Sequence, residues 1–246
     1  NRYSYTISPE SIDTNGMMTT PAICRMALKA IGENIRLEGY GIDIMGANGC
    51  SWVLARSTFE IDFRPKLYEE IEVAVWAVAG DGITYNRSFR LYDSKGCEFA
   101  HGTTEWCIIS RKERKLMFPS LNMESYNCPA PCLPPQRLKE FIPSAIETHK
   151  VAGSDCDFNG HLNSTRYIEL FLDMLPEEAL NPERAVRLDI NFKKEIQAGK
   201  IITLGTSQNE EGGWRFMARS TDSTLCCASL AFLPEMVGAG FAPATC

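Results

Sequence analysis

Asp157-Phe158-Asn159-Gly160-His161-Leu162-Asn163, in the second half of the chain, repeats Asp13-Thr14-Asn15-Gly16-Met17-Met18-Thr19, which lies 144 residues earlier. Each copy follows an extended stretch (Tyr3 to Ile7, Glu147 to Val151) and precedes a run whose apolar residues recur at helical spacing. A second block returns in the same order, 129 residues on: Phe59-Glu60-Ile61-Asp62-Phe63-Arg64-Pro65-Lys66 against Leu188-Asp189-Ile190-Asn191-Phe192-Lys193-Lys194-Glu195. Two matched blocks in one order and one setting mark a tandem duplication.

Between the copies, Met117 to Ile146 holds six of the thirteen prolines, a density that neither helices nor inner strands tolerate. The division is therefore 1–116, a linker 117–146, and 147–246, each unit long enough to bury its own core. In the first unit Thr20-Pro21 reads as a helix start, and Ile23, Met26, Ala27, Ala30, Ile31 and Ile35 line one face. In the second, Asn163 or Ser164 caps a helix that ends by Pro176. Strands are expected at 52–63, 70–79, 84–93 and 99–110, then at 185–192, 200–208, 214–220 and 226–233. Asp81-Gly82, Lys95-Gly96 and Gly212-Gly213 supply turns. Each unit is then an α+β element, one helix wrapped by a curved antiparallel sheet, and two copies join edge to edge.

Composition narrows the function classes. A formal charge of −6 argues against nucleic-acid binding. No apolar run approaches the roughly 20 residues that span a bilayer, and Asn1-Arg2-Tyr3-Ser4 does not read as a signal peptide, so no membrane association and a cytoplasmic location are expected. The ten cysteines are irregularly spaced, with one CxxxC at Cys128 and Cys132, and read as mostly buried thiols. With three histidines, no metal site is expected, and His101 and His149 read as structural. No phosphate loop or serine elbow is present, and no cofactor is called for.

Asp157-x-Asn159-x-His161 falls where a strand turns into a helix, so free N–H groups and the positive end of the helix dipole meet there. Such a place stabilises an oxyanion. Asn159 can position a carbonyl or a water, and His161 can donate or shuttle a proton. Capping chemistry alone accounts for an Asp and an Asn in both copies. It does not require His161, which is Met17 in the first copy, or Glu195, which the ungapped alignment sets against Lys66. The pattern suits one active and one degenerate half.

Nearly the whole chain resembles the acyl-acyl-carrier-protein thioesterases of plants and bacteria. Asp157, Asn159, His161 and Asn163 match that family's DxNxHxN segment, followed by Tyr167-Ile168. Lys193-Lys194-Glu195 matches its downstream glutamate block, and Ser51 to Arg56, Thr103 to Trp106 and Arg111 to Leu116 resemble first-half blocks. The resemblance implies a double hot-dog fold and hydrolysis of an acyl-carrier-protein thioester to a free fatty acid. Asp157, Asn159, His161 and Glu195 would be catalytic, with Asn163 at the substrate. The acyl tail would run into the first unit, past Met17, Met18, Ile23 and Ala27. The acidic carrier would meet Arg111, Lys112, Arg114 and Lys115, with Arg166, Lys193 and Lys194 nearer the site, and a homodimer is an expected assembly. Where the family often has Cys after the glutamate, Ile196 stands here and cannot be a nucleophile. Direct attack by water, with Glu195 as base, is favoured over an anhydride on Asp157. An acyl-CoA thioesterase, a hot-dog dehydratase or hydratase, and a non-catalytic acyl-binding regulator are the competing readings.

Overall fold

The computed structural model describes residues 1–78, 83–119, 121, 128–181 and 184–234; the turn expected at Asp81-Gly82 lies outside them. The first half runs β1 (Arg2–Thr6), α1 (Thr20–Ile35), a short α2 (Ile42–Ala47), β2 (Cys50–Ile61), β3 (Glu70–Val78), β4 (Tyr85–Tyr92), β5 (Glu98–Ser110) and a stub β6 (Leu116–Met117). The second runs β7 (Ala145–Lys150), α3 (Ser164–Asp173), β8 (Val186–Phe192), β9 (Ile201–Gln208), β10 (Trp214–Arg219) and β11 (Thr224–Phe232). The sequence missed α2, a six-residue helix too short to show a period. The linker's outer residues belong to strands: Met117 to β6, and Ala145 and Ile146 to β7.

All strands form one antiparallel sheet in the order β1-β3-β4-β5-β2-β8-β11-β10-β9-β7, with β6 beside β5. The order on one side of the β2–β8 junction repeats on the other, so the halves are related by a pseudo-two-fold axis. Phe59 and Leu188, the first residues of the second repeated block, are partners across that junction. The duplicated segment is thus the seam. It abolishes two sheet edges that would otherwise expose unpaired backbone groups.

Helices α1 and α3 pack against the sheet through their buried faces. Thr19 caps α1, its Oγ1 accepting Ala22 N–H at 3.3 Å, one residue before the expected cap. Asn163 caps α3, accepting Thr165 N–H at 2.9 Å. Ala22, Ile23, Ala27, Ala30, Ile31 and Ile35 turn inward from α1, while Tyr167, Ile168, Phe171 and Leu172 do so from α3. Buried side chains of both halves share one continuous core, with a small separate cluster of Met45, Cys50 and Ile108 under α2.

Strand β8 is buried on both faces because the proline-rich segment lies across its outer side. Arg187 Nη2 donates to Pro134 O at 3.1 Å, Gln136 N–H to Asp189 Oδ1 at 3.1 Å, and Leu138 N–H to Asn191 Oδ1 at 2.9 Å. Proline supplies no N–H, so side chains of β8 satisfy the segment's backbone at the residues between prolines. The linker is a cover over the seam. Among the described residues, no helix is long and apolar enough to cross a membrane.

Candidate active site

The two repeated loops share one backbone. Asp13 Oδ1 accepts the N–H groups of Asn15 and Met17 at 2.9 and 3.1 Å, and Asp157 Oδ1 accepts those of Asn159 and His161 at 2.8 and 3.2 Å. Asp13 N–H donates to Met17 O and Asp157 N–H to His161 O, each at 2.8 Å. Gly16 and Gly160 are left-handed, at φ 75° and 77°, which lets each chain reverse without a Cβ clash. Both loops deliver residue 17 or 161 to the start of a helix.

Their chemistry diverges at the segment that each loop leans on. Met18 N–H donates to Pro65 O at 2.8 Å, and Leu162 N–H to Ile196 O at 2.9 Å; Met17 bridges to Lys66 and His161 to Gln197. The offset is therefore 131 residues here, and it is already 131 at the end of the preceding strands, where Asp62 N–H donates to Phe99 O as Lys193 N–H does to Leu225 O. The ungapped block match, at 129, is two residues out of the structural register, so the counterpart of Glu195 is Arg64 and not Lys66. This corrects the ungapped alignment and sharpens the contrast. Arg64 folds back onto its own loop, its Nη2 lying 3.0 Å from Asp13 Oδ2.

Glu195 turns toward His161, with 3.6 Å between its Oε2 and His161 Nε2. The same Oε2 is ion-paired with Arg114 Nη2, from the turn after β5 in the other half. Asn159 is exposed on the loop tip and Asp157 is half-buried beneath it. Asp157, Asn159, His161 and Glu195 thus lie on one loop and the segment beside it, and His161 and Glu195 form the close pair. Ile196 packs against the core and gives its carbonyl to Leu162.

The other expected site residues divide. Asn163 is committed to its cap, accepting from both the N–H and the Oγ1 of Thr165. Met18, Ile23 and Ala27 are fully buried core residues, whereas Met17 is half-buried at the loop. Arg111, Lys112, Lys115, Lys193 and Lys194 are exposed. Arg166 is not beside His161: it is ion-paired with Asp155 and Glu169 and lines a cleft of about 800 Å³ at the first-half loop, with Asp13, Asn15, Phe63 and Arg64. What sequence reading missed is Arg114 as a member of the site. Its position in a basic run pointed to the surface, and 81 residues separate it from Glu195.

Of the groups that could hold a metal, Glu60, His101 and Cys132 bring one donor atom each within 4.8 Å of one another. Their protonation opposes ligation. Burial pulls His101 down, but hydrogen bonds to Glu60 and Glu98 outweigh it and lift the imidazole to about 9. Burial pushes the Cys132 thiol up to about 12. A metal needs the neutral imidazole and the thiolate. His101 instead acts as a cation between two carboxylates, 3.0 Å from Glu60 and 2.8 Å from Glu98. His149 is likewise paired, 2.8 Å from Asp155. Cys24, Cys50, Cys226 and Cys227 are buried thiols, and Cys97 is exposed.

One long helix packed against each half of a shared antiparallel sheet, joined strand to strand at a pseudo-two-fold seam, is the double hot-dog fold. Residues 1–119 match the acyl-ACP thioesterase N-terminal domain, and residues 139–232 the C-terminal domain. The chain belongs to the acyl-ACP thioesterase family. It is similar to the crystal structure of an acyl-ACP thioesterase from Bacteroides thetaiotaomicron, at 26% identity and a TM-score of 0.85, covering 95% of this chain and 97% of that one. It shares its fold with the 12:0-ACP thioesterase from Umbellularia californica, at 15% identity and a TM-score of 0.78, covering 96% and 97%. Oleoyl-acyl carrier protein thioesterase 1, chloroplastic, from Arabidopsis thaliana is 24% identical over 186 residues, 69% of this chain and 51% of that protein. The chain spans about half the length of the curated relatives it matches.

Proposed function

We propose that this protein hydrolyses the thioester between a fatty acyl chain and acyl carrier protein, releasing the free acid. The observation that carries this reading is the convergence of His161 and Glu195 at the N-terminal end of α3. Glu195 takes a proton from water, and the water oxygen adds to the thioester carbonyl carbon. His161 donates toward the carbonyl oxygen, which gains negative charge. When the tetrahedral adduct collapses, the C–S bond breaks and the thiol leaves with the proton that Glu195 collected. Asn159, on the loop tip, orients the water or the carbonyl.

Two facts favour direct attack. Asp157 Oδ1 already accepts two backbone N–H groups, which lowers its value as a nucleophile and makes it the brace of the loop. Ile196 offers no thiol. The first half, 1–116, is then a non-catalytic unit whose equivalent loop carries Met17 and Arg64, 117–146 is the covering linker, and 147–246 is the catalytic unit. The basic residues Arg111, Lys112, Lys115, Lys193 and Lys194 remain candidates to steer an acidic carrier, since local patches attract where net charge does not. The cytosolic address is part of the same proposal.

Steady-state hydrolysis of a panel of acyl-carrier-protein thioesters, beside the matching acyl-CoA esters, tests this. Preference for the carrier-bound esters, lost in Glu195→Gln and His161→Ala, is expected. Preference for CoA esters makes it an acyl-CoA thioesterase. No release of free acid from either refutes the hydrolase.

A further inference from the structure

The ion pair between Arg114 and Glu195 joins the two halves at the point where the chemistry is proposed to occur. Arg114 is one of two non-glycine residues among those described with a positive φ, at 57°. An arginine is out of place in that left-handed well, which glycine or asparagine occupies at lower cost. The turn that imposes it is fixed by its neighbours. Ser110 N–H donates to Lys115 O at 2.8 Å, Arg114 N–H to Ser110 O at 2.9 Å, and Glu113 N–H to Ser110 Oγ at 3.1 Å, while Ile109 pairs with Leu116. Backbone held in a disfavoured well is a reason to look for a function of that side chain.

The rest of the basic run behaves differently. Among the described residues, Lys112 and Lys115 make no ion pair, whereas Arg114 reaches a carboxylate of the opposite half. Glu195 sits on irregular backbone between β8 and β9, with 39% of its side chain exposed. Without a partner it would sample several rotamers, few of which face His161. Arg114 takes Oε2, the oxygen facing His161 Nε2, and among the described residues Oε1 makes no hydrogen bond or ion pair. One oxygen is anchored and the other is left to accept a proton.

Resting on the hydrolase reading, we propose that Arg114 is a positioning residue of the active site: the first half supplies the guanidinium that holds the catalytic carboxylate of the second half in register with His161. The site is then composite, and the non-catalytic half is required for turnover by more than its fold. This assigns Arg114 to the reacting groups instead of the carrier's docking surface.

The experiment compares wild type, Arg114→Gly, Arg114→Lys, Lys95→Gln (an exposed lysine outside the proposed site and carrier rim) and Glu195→Gln on one acyl chain, attached once to acyl carrier protein and once to a small thiol. Arg114→Gly removes the guanidinium and relieves the left-handed backbone, so its Tm should be no lower than wild type. Its kcat should fall about tenfold or more on both substrates, the scale on which loss of a positioning contact acts. Arg114→Lys should recover part of that kcat, Lys95→Gln should leave kcat unchanged, and Arg114→Gly added to Glu195→Gln should cause no further loss. A rise in KM confined to the carrier-bound substrate, with kcat intact, would make Arg114 a docking residue and overturn the proposal. A rise in kcat would make the ion pair a restraint and overturn it equally. Turnover that is lost in Glu195→Gln but survives in Arg114→Gly sinks this inference alone, whereas an inactive wild type removes the hydrolase reading with it.

Discussion

The loop at Asp13 and the loop at Asp157 are built alike and equipped differently. In each, one carboxylate oxygen gathers two N–H groups, one glycine turns left-handed, and the following residue leans on an antiparallel segment. The difference lies in what that segment presents. In the second half Glu195 points outward to His161 and is met by Arg114; in the first, Arg64 turns inward and pairs with Asp13. Burial pushes the Arg64 guanidinium down from its usual range, and Asp13 partly offsets this. The comparison teaches that the duplicated loop is a structural part, kept by the physics of turning a strand into a helix. The side-chain differences, Met17 against His161 and Arg64 against Glu195, leave it undisturbed.

The comparison breaks most visibly at the second loop. Glu195→Gln or His161→Ala should lower kcat by about two or more orders of magnitude, the usual consequence of losing a base or an oxyanion donor. Near-normal turnover in Glu195→Gln, measured by release of free acid, would mean that another group is the base.

Ala27 sharpens the contrast between the helices, since α1 was expected to line an acyl tail and its Ala27 is wholly inside the core. Ala27→Phe should overpack that core and destabilise by about 1–3 kcal/mol, seen as a lower denaturant midpoint. A stable variant with a shortened acyl preference would instead show that a tail enters beside α1.

The halves should also differ in pH response. His101 pairs with Glu60 across β5 and β2, whereas the equivalent cross-strand pair in the second half is Cys227 with Asn191. The folded value of His101, about 9, lies above its ordinary 6.5. Its contribution is therefore fully present below pH 6.5 and is lost as pH rises through 9, amounting to about 3 kcal/mol. Urea midpoints between pH 6 and 9.5 should fall for wild type and stay flatter for His101→Gln. Parallel slopes would remove His101 as the source.

Asp13→Ala tests the first loop directly. It removes an acceptor of two N–H groups and should cost about 1 kcal/mol in stability, with kcat within twofold of wild type. A large loss of activity would mean a second working site. The smallest effect is expected at the basic rim: Lys112→Glu with Lys115→Glu should raise KM for the carrier-bound substrate several-fold and spare a small thioester, more so at low salt. Equal effects on both substrates would remove these lysines from carrier docking.

Much of this was legible in the residues. The loops, the helix starts, the two long helices and the strand positions within each half follow from local rules: carboxylates that accept N–H groups two and four positions on, apolar residues at helical or alternating spacing, and prolines that exclude regular structure. The repeat pointed to the second half as the proposed active one, and His161 and Glu195 stood out because capping does not explain them. Tertiary structure alone decided the rest. An ungapped comparison sets the second block two residues out of its structural register, and only backbone pairing shows that Arg64 is the counterpart of Glu195. The shared core, the linker's place over β8 and the reach of Arg114 across the seam all join residues more than 50 positions apart. Local propensity carries no information about such contacts, because they come into being only when β2 and β8 pair and the two sheets become one.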